Sequence, residues 1–145
     1  MPTPDPCSPD DAAAVPTILV VDDEPVIREL VALLLEEEGY TVRQACDGVE
    51  ALREVDEDGI DLVLSDVKMP HLDGISLAHR LGSRERSVPV VLMSAVGPKG
   101  TPLQVPFLRK PFTADHLLDV LAAVLVDTGV TPHVNPGGNL IGRSR

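Results

Sequence analysis

The sequence predicts an α/β fold built on a five-stranded, doubly wound parallel sheet. Three observations carry that expectation. Short runs of Val, Ile and Leu recur without polar alternation, which suits strands covered on both faces. Segments of helical periodicity stand between those runs, and strand–helix alternation gives βαβ units with right-handed crossovers. The 145 residues are 43% hydrophobic and 24% charged, which is enough for one globular domain. Aromatics make up only 2%, so the core must be aliphatic.

The elements follow in order. Met1 to Pro16 carry five prolines and are expected to form a disordered leader. Thr17 to Val21 form the first strand. Asp22-Asp23-Glu24-Pro25 opens a helix, with an acidic N-cap region and Pro in the first turn. That helix runs to Glu38 with Ile27, Leu30, Val31 and Leu34 at helical spacing, and Gly39 stops it. Glu36-Glu37-Glu38 reads as a solvated face that opposes the helix dipole. Tyr40 to Ala45 form a second strand. Asp47 to Glu57 form a helix with Val49, Leu52 and Val55 on one side, closed by Gly59.

Ile60 to Ser65 form the third strand, ending at Asp66. A loop with Met69-Pro70 leads to a helix from about Asp73 to Gly82, whose inner face is Ile75, Ala78 and Leu81. Val88 to Met93 form the fourth strand. From Ser94 to Pro106, two glycines and three prolines exclude a long helix. Phe107-Leu108-Arg109 is a short last strand, and Pro106 suits an edge position. Thr113 caps a final helix to about Val126, with Leu117, Leu118, Leu121, Val124 and Leu125 inward. Asp127 to Arg145 form a polar tail. The doubly wound, flavodoxin-like order 2-1-3-4-5 accommodates five such strands. The expected organisation is therefore a leader over 1–16, one domain over 17–126 and a flexible tail over 127–145.

The net charge of −11 comes from 23 acidic and 12 basic residues, which disfavours direct nucleic-acid binding. Cys7 and Cys46 have no metal-ligand spacing and suit a reduced, cytoplasmic protein. No run approaches the about 18 apolar residues of a membrane span, and the N-terminus has no signal-peptide pattern. The four histidines have no mutual spacing and read as surface residues.

In this topology ligands bind beyond the carboxyl ends of the strands, at the switch point. The sequence places Asp22-Asp23 after strand 1, Asp66 after strand 3, Ser94 after strand 4 and Lys110 after strand 5. Neighbouring strands lie about 4.8 Å apart, so Asp66 is held close to Asp22 or Asp23. Clustered carboxylates raise one another's pKa, and a hard divalent cation such as Mg²⁺ or Mn²⁺ relieves them. A carboxylate can also act as a nucleophile toward phosphorus. Asp66 is the candidate nucleophile because it sits centrally, with the acids on one side and Ser94 and Lys110 on the other. Lys110, the Ser94 hydroxyl and a backbone N–H after Asp66 would compensate charge on a phosphoryl group.

Val20-Val21-Asp22-Asp23-Glu24, Ser65-Asp66-Val67-Lys68-Met69-Pro70-His71-Leu72-Asp73-Gly74, Met93-Ser94-Ala95 and Lys110-Pro111-Phe112 together resemble the receiver domain of bacterial two-component response regulators. The resemblance covers about Thr17 to Val126, and its Asp-x-x-Met-Pro-x-x-Asp-Gly segment is highly specific. It implies that Asp66 is the phosphoacceptor of a sensor histidine kinase or phosphorelay partner. It implies that Asp22, Asp23, Asp66 and the backbone carbonyl of Lys68 hold Mg²⁺, for which Mn²⁺ can substitute. Ser94 becomes the switch hydroxyl, Phe107 the switch aromatic and Lys110 the phosphate-contacting lysine, with a cis Lys110–Pro111 bond. The Lys68 side chain, two positions past Asp66, is expected to modulate dephosphorylation.

Such a protein is a phosphoacceptor rather than an enzyme, at most taking its phosphoryl group from a donor and dephosphorylating itself. Its output passes through an unassigned protein partner, with no direct nucleic acid and no membrane insertion. The fifteen residues between Ser94 and Lys110 are fewer than receivers usually carry, so the family's fourth helix is expected to be absent or vestigial, reduced to a loop or one turn near Thr101 to Val105. No DNA-binding domain follows the last helix, which suggests a stand-alone receiver. The alternative is a constitutive receiver-fold interaction module or phosphate sink without regulated switching. A phosphatase acting through an aspartyl intermediate fits poorly, because Lys68 occupies the position where a second Asp is needed.

Overall fold

A computed structural model describes residues 15–57, 59–95 and 105–127. In chain order the elements are β1 (Thr17–Val21), α1 (Pro25–Glu37), β2 (Thr41–Ala45), α2 (Gly48–Asp56), β3 (Leu62–Asp66), α3 (Gly74–Gly82), β4 (Val90–Ser94), β5 (Phe107–Arg109) and α4 (Ala114–Asp127). The five strands form one sheet in the order β2-β1-β3-β4-β5, and every pairing is parallel. This is the doubly wound order expected from the sequence. Among the described residues there are four helices, which fits a shortened stretch between β4 and β5. The loop or single turn expected near Thr101 to Val105 falls mostly on 96–104 and lies outside the described residues, as do 1–14 of the leader and 128–145 of the tail.

Strand alternation divides the core into two. Ile18 and Val20 of β1, Leu62 and Leu64 of β3, and Val91 and Met93 of β4 pack beneath α1 and α4. Leu19 and Val21, Val63, and Val90 and Leu92 point the other way, beneath α2 and α3. Both faces of these central strands are buried, which is why their sequences lack polar alternation.

The helices keep the predicted spans within a residue or two, yet two of them are turned about their axes. In α1 the buried residues are Val31, Ala32 and Leu35. Leu30, expected inside, is 53% exposed, while Ile27 and Leu34 are half-buried. The helix carries apolar residues on more than one stripe, so periodicity alone does not fix its phase. In α2 the buried residues are Gly48, Ala51 and Val55, and Val49 faces out. Small Gly48 and Ala51 let α2 approach closely; a Cβ on Gly48 would lie 2.5 Å from the Leu72 carbonyl oxygen. In α3 Leu77 takes the fully buried place and Ile75 is only half-buried. In α4 Leu117, Leu118, Leu121 and Leu125 are buried as expected, with Val124 partly covered.

Caps follow the sequence at three helices. Asp47 accepts from Glu50 N at 2.8 Å, Asp73 from Ser76 N at 2.7 Å and Thr113 from His116 N at 3.0 Å. At α1 the expected acidic cap is not formed. Glu24 holds the N-cap position without a side-chain bond, and Asp22 Oδ1 instead accepts from Glu24 N at 3.0 Å.

Gly74 connects fold to site. Its backbone passes so near the Asp66 carbonyl that a Cβ would overlap that oxygen, and its N–H donates to Val67 O at 2.8 Å. Gly74→Ala is expected to destabilise the protein by about 1–3 kcal/mol, the usual range for overpacking. Urea denaturation of both proteins would check this, and an unchanged midpoint would show that the loop after β3 yields.

Candidate phosphoacceptor site

The site lies at the carboxyl ends of β1, β3, β4 and β5. Val21 pairs with Ser65 and Asp66 pairs with Met93, so the residues that leave β1, β3 and β4 emerge side by side. Oxygens of Asp22, Asp23 and Asp66 come within 4.8 Å of one another. Asp22 is fully buried, Asp66 half-buried and Asp23 exposed. Lys110 enters from the end of β5, where its N–H donates to Ser94 O at 2.8 Å and its Lys110–Pro111 bond is cis. Its Nζ donates to Asp66 Oδ1 at 3.1 Å and stands 3.6 Å from Asp22 Oδ2.

Three carboxylates against one ammonium leave the cluster short of positive charge. Burial pushes the Asp66 carboxyl above the usual aspartate range, and the Asp22 charge adds to the rise. The Lys110 ammonium and the Val67 N–H oppose it without cancelling it. Burial also pulls the Lys110 pKa down, but Asp66 and Asp22 outweigh it, so the ammonium is held above its ordinary value. Asp22 Oδ2 is buried and accepts no hydrogen bond from the protein. An anionic oxygen without a donor, beside two further carboxylates, fits a hard divalent cation with oxygen ligands.

The other anticipated residues lie as follows. Ser94 is buried at the end of β4, one residue beyond the partner of Asp66. Lys68 is exposed in the loop after β3. The N–H of Val67, the first backbone donor after Asp66, donates to Met93 O at 3.0 Å and still acts on the Asp66 carboxyl, holding its pKa down. Phe107 is not part of the acidic pocket. It pairs with Leu92 and packs, half-buried, against the core beneath α2 and α3.

Two residues make contacts that had no signal in the sequence. Arg28 donates through Nη1 to the Asp22 carbonyl at 2.8 Å and through Nε to Gln44 Oε1 at 3.0 Å. His71, read as a plain surface histidine, adopts φ +70° and places Nδ1 2.8 Å from Asp47 Oδ2, tying the loop after β3 to the cap of α2.

The raised Asp66 pKa sets a pH dependence. The folded state holds that proton more tightly than the unfolded chain, so the contribution of Asp66 to stability is full below the ordinary aspartate pKa. It is lost as pH rises through the folded value. In the absence of divalent cations, carboxyl ¹³C titration should find Asp66 above the ordinary range, and Lys110→Met should move it further up. A downward move in that variant would contradict the arrangement.

Comparison with known proteins agrees with this geometry. Residues 18–122 match the family model for the response regulator receiver domain. The chain is 35% identical over 131 residues to the probable transcriptional regulatory protein TcrX of Mycobacterium tuberculosis, covering 86% of this chain and 56% of TcrX. The chain thus spans about half the length of that relative. A response regulator receiver domain protein from Clostridium thermocellum superposes with TM-score 0.71 at 28% identity, over 79% of this chain and 98% of that one. The response regulator TrrA of Thermotoga maritima, solved in complex with Mg(2+)-BeF, gives TM-score 0.65 at 34% identity, over 71% of this chain and 93% of TrrA. Receiver domains of this kind are signalling phosphoacceptors that bind Mg²⁺ at an acidic site and receive phosphoryl groups from histidine kinases. The chain belongs to the response regulator receiver family of bacterial two-component systems.

Proposed function

We propose that Asp66 accepts a phosphoryl group from the phosphohistidine of a sensor histidine kinase or phosphotransfer protein, and that the protein signals through altered protein contacts. One observation carries this reading: Lys110 Nζ bridges Asp66 and Asp22 within a cluster of three carboxylates, one of whose buried oxygens has no hydrogen-bond donor. Asp22, Asp23, Asp66 and the backbone carbonyl of Lys68 would hold Mg²⁺, with Mn²⁺ as a substitute. The bound cation would supply positive charge to the phosphoryl oxygens, where phosphoryl transfer needs it most.

The protein's own residues do the rest. A carboxylate oxygen of Asp66 forms the new bond to phosphorus as the N–P bond breaks, and the imidazole keeps that electron pair. Lys110, already 3.1 Å from Asp66 Oδ1, remains as counter-charge to the acyl phosphate. The Ser94 hydroxyl, at the end of the adjacent strand, is the switch group drawn toward the phosphoryl oxygens. Phe107 starts the edge strand β5, whose register runs from Leu92 to Ser94, and is the aromatic that follows a shift of Ser94. Lys68, exposed two positions past Asp66, sets the lifetime of the acyl phosphate.

The donor approaches along α1. Val26, Leu30 and Leu33 lie on its outer face and are 76%, 53% and 52% exposed. Beside them, Ile27, Leu30 and Leu34 line an apolar groove that ends at Lys110, Pro111 and Phe112. An apolar stripe leading to the acceptor suits a helix of the phosphohistidine protein, whose reactive imidazole must reach Asp66.

Incubation with acetyl phosphate and Mg²⁺ should add one phosphoryl group by mass spectrometry, and both chelation of the metal and Asp66→Asn should abolish it. Absence of the adduct in the wild-type protein would favour a constitutive interaction module. Leu30→Asp should leave labelling by acetyl phosphate unchanged while slowing transfer from a phosphohistidine protein about tenfold, the equivalent of roughly 1.4 kcal/mol of binding. Equal rates from the protein donor would place the docking face elsewhere.

A further inference from the structure

We propose that Arg28 is a positioning residue for the divalent-cation pocket, clamping the peptide that joins Asp22 to Asp23. The proposal rests on the reading of the acidic cluster as a cation site. β1 ends at Val21, so the Asp22 carbonyl lies past the sheet ladder between β1 and its neighbours. Arg28 fills the gap: Nη1 donates to that carbonyl at 2.8 Å, and Nε is braced by Gln44 Oε1 at 3.0 Å. The backbone of Arg28 is fixed as well, its N–H donating to Glu24 O at 3.0 Å in the first turn of α1.

The consequence appears when the polar atoms of Asp22 are taken in turn. Its N–H donates to Ala45 O at 3.2 Å, its carbonyl accepts from Arg28, and its Oδ1 accepts from Glu24 N at 3.0 Å. Oδ2 alone accepts no hydrogen bond, and it faces Lys110 and the other carboxylates. The carbonyl held by Arg28 belongs to the same planar peptide as the N–H of Asp23. One guanidinium therefore fixes the plane from which both carboxylates project. Its planar fork holds the directions to both acceptors fixed, which a freely rotating ammonium on a flexible stem does not. Partners of this outer kind typically change metal affinity by about 10–100-fold.

Positioning and simple charge make opposite forecasts. Removing a positive charge from beside a cation site should tighten cation binding by Coulomb's law. Loss of the clamp should loosen it. Isothermal titration of the full chain with MgCl₂ reads the sign directly. Arg28→Gln is expected to weaken Mg²⁺ binding roughly tenfold. Arg28→Lys, which keeps the charge and loses the fork, should weaken it by a smaller factor. With acetyl phosphate as donor, the Mg²⁺ concentration for half-maximal labelling should rise in step, while the rate at saturating Mg²⁺ stays near wild type.

Unchanged or tighter binding by folded Arg28→Gln, with normal binding by the wild type, would overturn the role of Arg28 and leave the phosphoacceptor reading intact. If Arg28→Gln fails to fold by circular dichroism, Arg28→Lys decides the question: weaker binding supports the clamp and wild-type binding overturns it. Failure of the wild-type protein to bind Mg²⁺ or to be labelled would remove the phosphoacceptor reading, and the clamp with it.

Discussion

A fully buried carboxylate, that of Asp22, is the constraint on which the rest of the structure turns. Burying an ion is costly unless charge and hydrogen bonds replace its water. Here Glu24 N satisfies one oxygen and Lys110 stands 3.6 Å from the other. Lys110 serves Asp66 at the same time, so a single ammonium answers for two acids. The arrangement is electrostatically incomplete: one ammonium faces the acids, and one buried oxygen of Asp22 accepts no hydrogen bond.

The sheet makes this arrangement possible. Only with β1 and β3 adjacent, in the register Val21 with Ser65, do Asp22 and Asp66 leave the sheet together. Only with β4 beside β5 does Lys110 reach across, anchored by its bond to Ser94 O. Gly74 then allows the chain after Asp66 to turn back against the Asp66 carbonyl, where any side chain would collide. The aliphatic strand interiors supply burial on both faces, and the polar residues are confined to one rim.

Much of this was legible in the sequence. Unalternated strands separated by periodic segments gave the parallel sheet, and acids, serine and lysine at successive strand ends marked the rim. The reading erred where one signal admits two solutions. The apolar residues of α1 include Leu30, Leu33 and Val26 besides Val31, Ala32 and Leu35, so the pattern does not tell which stripe meets the sheet. Packing chose the side with small Ala32 and left Leu30 and Leu33 outside. The Asp22-Asp23-Glu24-Pro25 run opens α1 as expected, with Glu24 at the N-cap and Pro25 next, but Glu24 makes no side-chain cap bond and Asp22 Oδ1 accepts from Glu24 N instead.

The sequence by itself determined the class of fold and the order along the chain of the acids, serine and lysine that gather at the sheet's rim, because strand and helix patterns are local and the motifs are short. Tertiary structure alone decided how those groups meet: that one lysine bridges two acids, that Arg28 reaches back to the Asp22 carbonyl, and that His71 takes a left-handed turn to bond Asp47. Those contacts join different elements, or turn on backbone angles within a loop. They follow from where the packed elements place each side chain, which residue spacing does not encode.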